Sequence, residues 1–200
     1  MLNVALTGNV AAGKTTVAQL FREWGATLID SDAIVHRLEQ PGTAVFDAIV
    51  EAFGAGMVAE DGSLRRAALR HRIVTRPEDR RRLNSIVHPA VLAERQLLED
   101  QARARGDLIV VSDIPLLFEA ADPEAFDAVV LVDAPDQIRR ARLIELRGLE
   151  PADADDLMAA QAPAAAKRER SDYIIQNDGT AVQLEAAAQR VWAALQARAG

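Results

Sequence analysis

Gly8-Asn9-Val10-Ala11-Ala12-Gly13-Lys14-Thr15 has the spacing G-x-x-x-x-G-K-[ST], the pattern of a phosphate-gripping loop. The chemistry follows from the residue types. Glycines permit backbone angles that other residues resist, so a strand can turn sharply into a helix. The turn aims N–H groups at one point, and the helix adds the partial positive charge of its N-terminus. Lys14 can reach the β- and γ-phosphates as a mobile point charge. The Thr15 hydroxyl can ligate a magnesium ion bridging the same oxygens. Lys14 is one of two lysines, the other being Lys167, against 21 arginines. A lysine kept here is therefore not compositional drift.

Further along, Asp30-Ser31-Asp32 follows the apolar run Ala26-Thr27-Leu28-Ile29. In open parallel sheets ligands bind beyond the carboxyl ends of the strands, where a carboxylate can accept a hydroxyl proton. Asp and Ser are also favoured helix N-caps, so Asp30 or Ser31 is expected to cap and Asp32 to be free for chemistry. Asp113 ends another apolar run, placed either to orient magnesium or to satisfy backbone donors. Ile114-Pro115-Leu116-Leu117-Phe118-Glu119 reads as an apolar platform closed by an acid. Arg139, Arg140, Arg142 and Arg147 form a basic stretch suited to the charge of phosphoryl transfer. Arg142 and Arg147 are five apart and converge only if their helix ends near Gly148 and the chain bends. His36, His71 and His88 lack metal-ligand spacing.

The elements that must position these groups alternate between strand and helix, which predicts an α/β fold with a mainly parallel sheet. Strands are expected at 2–6, 26–29, 108–111, 128–132 and 173–175. A helix should follow the loop through Val17, Leu20, Phe21 and Trp24 and stop at Gly25. A mostly helical insertion spans about 31–105, with a turn at Asp61-Gly62. Another helix opens after Pro135, and a final one carries Val191, Trp192 and Leu195. Pro163 breaks or kinks the alanine-rich patch 159–166.

Two hundred residues, half of them hydrophobic, suit one domain with small insertions. A net charge of -7 argues against a general nucleic-acid binder but not against a local basic pocket. Without cysteine there is neither a disulfide framework nor thiol catalysis. The chain shows no targeting leader or membrane span, so the expected location is the cytoplasm. A nucleotide-dependent switch would need a guanine-reading Asn-Lys-x-Asp segment, and Lys167 is followed by Arg-Glu-Arg instead.

Taken together, Leu6-Thr7-Gly8 through Thr16-Val17-Ala18, Ile29-Asp30-Ser31-Asp32, Pro41-Gly42, Leu83-Asn84, His88-Pro89, Asp113 through Glu119, Ala159-Ala160-Gln161 and Asp172 through Asn177 resemble the dephospho-CoA kinase family over nearly the whole chain. The resemblance implies phosphorylation of the ribose 3′-hydroxyl of dephospho-coenzyme A with ATP and Mg2+. It implies a P-loop NTPase fold, a five-stranded parallel sheet flanked by helices with two appendages. These are a helical substrate-binding insertion (about 31–105) and a small lid (about 139–151), leaving a core of 1–30, 106–138 and 152–200. It also implies ATP binding by Gly8, Ala11, Ala12, Gly13, Lys14, Thr15, Thr16, Arg147 and Asn177. Asp32 would be the base, with Lys14 and Arg142 completing catalysis. His88, Leu116, Leu117 and Glu119 would lie near the acceptor. Asn9 and Ala11 stand where the family usually has glycine. The alternative is another small-molecule kinase of this fold, acting on a nucleoside monophosphate or shikimate.

Overall fold

The computed structural model describes residues 1–200, residue 120 by its backbone alone. Five strands, β1 (Leu2–Gly8), β2 (Thr27–Asp30), β3 (Ile109–Asp113), β4 (Ala128–Asp133) and β5 (Tyr173–Gln176), form one sheet in the order β2-β3-β1-β4-β5. β1 pairs in parallel with β3 on one side and β4 on the other, and β4 pairs in parallel with β5. β3 and β4 are buried at every position, as expected of strands covered on both faces. The strands run one or two residues past the apolar runs that announce them. Their last positions are Gly8, Asp30, Asp113, Asp133 and Gln176, so polar residues collect at the carboxyl edge.

The α-helices among the described residues are α1 (Lys14–Glu23), α2 (Ser31–Leu38), α3 (Ala44–Phe53), α4 (Arg66–Thr75), α5 (Pro77–Arg105), α6 (Leu117–Ala120), α7 (Asp136–Arg147), α8 (Pro151–Ala159), α9 (Ala164–Arg168) and α10 (Ala181–Ala199). Pro163 lies in the break between α8 and α9, inside the alanine-rich patch, and is the N-cap of α9.

The chain divides into two compact units, residues 1–29 with 101–200, and residues 30–100. In the first, the sheet core of Val4, Leu6, Val111, Val130 and Val132 packs on Val17 and Phe21 of α1 and on Trp192 and Leu195 of α10. Burying a side chain of this size contributes about 1.5–3 kcal/mol. Phe21, Trp24 and Trp192 form an aromatic triad with ring centroids 5.4 to 6.4 Å apart. The second unit has its own core, built on Phe46, Ile49 and Phe53 of α3 with Leu69 of α4 and Leu83 and Val87 of α5.

Candidate active site

The phosphate loop follows the central strand β1, whose connection leads to β2 at one edge of the sheet while its neighbour β4 leads to β5 at the other. Such a switch point is where ligands bind in open α/β sheets. Its backbone is unusual at two places. Gly13 has φ 98° and Ala11 has φ 60°, so an alanine occupies the left-handed region that favours glycine. Gly8 lies so close to β4 that a Cβ would stand 2.6 Å from the carbonyl oxygen of Val132.

Three successive carbonyls of the loop are held from outside. The Arg139 guanidinium donates to Val10 O at 3.4 Å, Arg142 to Ala11 O at 3.1 Å, and Asn177 Nδ2 to Ala12 O at 2.7 Å. Arg142 also donates to both Asn177 O and Asn177 Oδ1 at 3.2 Å. Asn177 is itself fixed, its N–H donating to Asp133 O at 2.7 Å. With these carbonyls held from outside, the loop N–H groups other than those of Val10 and Ala12, which donate to Gln161 Oε1 and Asn9 O, are left for an anion, as in a backbone nest. The N-terminus of α1 adds to it. No side chain caps that helix, and no acid stands in its first turn, so its positive end is left to a ligand.

Lys14 Nζ pairs with the Asp113 carboxylate at the end of β3, both side chains being largely buried. Asp113 thus holds the loop cation. Magnesium prefers oxygen ligands and keeps several waters, binding through one or two protein oxygens plus substrate phosphates. The Thr15 hydroxyl and the Asp113 carboxylate suit that mode. Among the described residues no group of three or more His, Cys, Asp or Glu could hold a metal unaided.

Other expected residues fall differently. Asp30 is the N-cap of α2, accepting from Ala33 N at 2.9 Å. Asp32 is exposed in the first turn of the same helix and has no hydrogen bond or ion pair among the described residues. Leu116 is 45 % exposed, but Leu117 is fully buried against Ala5, Ile114 and Val129. The expectation that Leu117 lines the acceptor site is corrected: its side chain is core. His88 is exposed midway along α5. Arg140 is engaged with Asp155 through two hydrogen bonds of 2.6 and 3.0 Å on the exposed surface. α7 runs unbroken to Arg147 and closes at Gly148 (φ 66°), so Arg142 and Arg147 lie on one helix that ends where the sequence places its stop. Residues 139–147 of the expected lid are the body of α7, and only Gly148–Glu150 link it to α8.

The arginines were expected to face the transferring phosphoryl group. The structure instead gives Arg139 and Arg142 to the loop's backbone. That role has no sequence signal, because it depends on where carbonyls point. Gly13→Ala tests the brace. Its Cβ would stand 2.1 Å from Asn177 Nδ2, at a φ that alanine resists. We expect the variant to lose about 1–3 kcal/mol of stability together with ATP binding, measured by thermal melting and calorimetric titration.

The family model for dephospho-CoA kinase matches residues 2–183. The chain belongs to the dephospho-CoA kinase family. A dephospho-CoA kinase of Symbiobacterium thermophilum is 44 % identical over 191 residues, covering 96 % of this chain and 80 % of the relative. One from Streptomyces avermitilis is 42 % identical over 199 residues, covering 100 % and 96 %. A solved structure from Thermus thermophilus superposes with a TM-score of 0.81 at 32 % identity, covering 97 % of each chain. Members of the dephospho-CoA kinase family are kinases, so ATP is the phosphoryl donor and a small molecule the acceptor.

Proposed function

We propose that this chain transfers the γ-phosphoryl group of ATP to the ribose 3′-hydroxyl of dephospho-coenzyme A, giving coenzyme A and ADP, the last step of coenzyme A biosynthesis. The observation that carries this is the family match over residues 2–183, joined to a phosphate loop already braced for a polyphosphate. The loop N–H groups and the end of α1 cradle the triphosphate. Lys14 leaves Asp113 and follows the charge on the β- and γ-oxygens. Thr15, with Asp113 through water, would hold magnesium, which supplies charge neutralisation between the phosphates when bound. The 3′-oxygen forms its bond to γ-phosphorus as the bond to the β,γ-bridging oxygen breaks. Asp32 takes the hydroxyl proton. Its support is its place just after β2, an exposed carboxylate with no structural task.

In the same reading, residues 31–105 hold the coenzyme end with His88, Leu116 and Glu119, and the chain around 148–151 closes over the nucleotide with Arg147. Asn177, to which Arg142 donates, would stand near the adenine. The enzyme works in the cytoplasm on small molecules and takes no nucleic acid. No described helix is long and apolar enough to cross a membrane.

The test is a coupled assay of ADP release with dephospho-coenzyme A offered beside AMP, shikimate and pantothenate. Dephospho-coenzyme A should exceed the others by about a hundredfold or more in kcat/KM, because a site built to bond a whole acceptor rejects fragments that leave it unpaired. Preference for AMP or shikimate would overturn the reading.

A further inference from the structure

Val10 is held by both of its backbone groups. Arg139 takes its carbonyl, and its N–H donates to Gln161 Oε1 at 2.8 Å. Gln161 stands in the short break between α8 and α9, its own N–H donating to Met158 O at 3.3 Å. The next residue is fixed by another side chain, Ala162 N donating to Glu119 Oε1 at 3.1 Å. The same Glu119 oxygen lies 2.8 Å from Nζ of Lys167, whose side chain is 1 % exposed. A continuous line thus runs from a fully buried cation, through the acid of the Leu116-to-Glu119 block, to the first half of the phosphate loop. All of it lies within the first compact unit.

We propose that Gln161 is a positioning residue of the phosphate loop, and that the Lys167–Glu119 pair keeps it in place. The argument is one of cost and geometry. Enclosing a lysine in an apolar interior is expensive unless it is paired. Here the pair holds one end of a break in the chain rather than knitting helices of the core. Burial pushes the Glu119 carboxyl up, but the hydrogen bonds from Lys167 and Ala162 N–H outweigh it and hold the group below the ordinary carboxylate range. It therefore stays charged and able to grip the Ala162 amide. That fixes the backbone from which Gln161 extends. Gln161 in turn commits the Val10 N–H, so the loop cannot tilt at Val10 away from the arrangement that Arg139, Arg142 and Asn177 impose on its carbonyls.

The inference rests on the loop being the ATP site, so its test begins with wild-type protein and a non-hydrolysable ATP analogue in calorimetry. Failure of wild type to bind would sink the functional reading. With wild type binding, the variants decide the inference separately. Gln161→Met keeps length but lacks the acceptor, and should weaken the analogue about five- to tenfold, the worth of one hydrogen bond. Gln161→Glu retains an acceptor at the same reach and should restore most of that affinity. Because Gln161 is only half-buried, both variants should melt within about 2 °C of wild type. Lys167→Met should reproduce the loss, and the double variant with Gln161→Met should be no weaker than Lys167→Met alone, since both break one line. Unchanged affinity in Gln161→Met, equal losses in the Met and Glu variants, or additive losses in the double variant would each overturn the proposal. Should Lys167→Met not fold, the Met–Glu comparison at Gln161 still decides it.

Discussion

Lys14→Ala should remove phosphoryl transfer almost entirely, by about a thousandfold or more, as expected when a preorganised charge on a transferring phosphoryl group is lost. The size of the effect comes from two consequences of one truncation. The variant lacks the ammonium that follows charge onto the β- and γ-oxygens. It also takes from Asp113, whose side chain is 12 % exposed, the ammonium with which it pairs in the structure. Removing one partner of a pair this far from water is destabilising in its own right. Lys14→Ala with Asp113→Asn separates the two effects. The double variant should regain melting temperature while turnover stays lost. Lys14→Arg should not rescue, because a planar fork cannot replace a compact ammonium in this space. Measurable product from Lys14→Ala at a rate near wild type would refute the loop as the reacting site.

Asp32→Asn is the second large effect. We expect kcat to fall about a hundred- to ten-thousandfold, the range for loss of a general base, while the dissociation constant for ATP stays within about twofold because no loop contact is touched. The neighbouring capping carboxylate supplies the control. Asp30 caps α2 through Ala33 N, so Asp30→Ala should cost about 1 kcal/mol of stability with far less effect on kcat. Equal kcat losses in the two variants, or normal turnover in Asp32→Asn, would reject Asp32 as the base.

Much of this was legible in the sequence because it rests on local rules. Continuous apolar runs gave four of the five strands, since a parallel strand covered on both faces cannot afford polar positions. The run Ala26–Ile29, next after Gly25, marks the fifth strand one residue early, the strand itself being Thr27–Asp30. The loop was legible because glycine, lysine and threonine at fixed spacing have few other uses. What stayed hidden depends on direction. Whether an arginine in α7 faces solvent, a phosphate or a backbone carbonyl is not encoded in its own neighbourhood. Arg139 and Arg142 were accordingly expected at the reaction and found behind the loop. Leu117 was obscured for a similar reason, since a loop leucine can turn either way.

Lys167 did carry a signal, though not one of motif. In a chain that otherwise uses arginine for positive charge, both lysines lie in enclosed positions against a single carboxylate, Lys14 against Asp113 and Lys167 against Glu119. A single-point cation fits such places, where the wider guanidinium does not.

The aromatic triad has a practical consequence. Trp24 and Trp192 are the only tryptophans and Tyr173 the only tyrosine, and all three belong to the sheet unit; residues 30–100 contain neither type. Indole emission therefore reports melting of one half of the molecule and is blind to the other, whose helices register in circular dichroism. Divergence between the two signals on heating would reveal a helical half that comes apart alone, and superposable traces would mean that the halves unfold together.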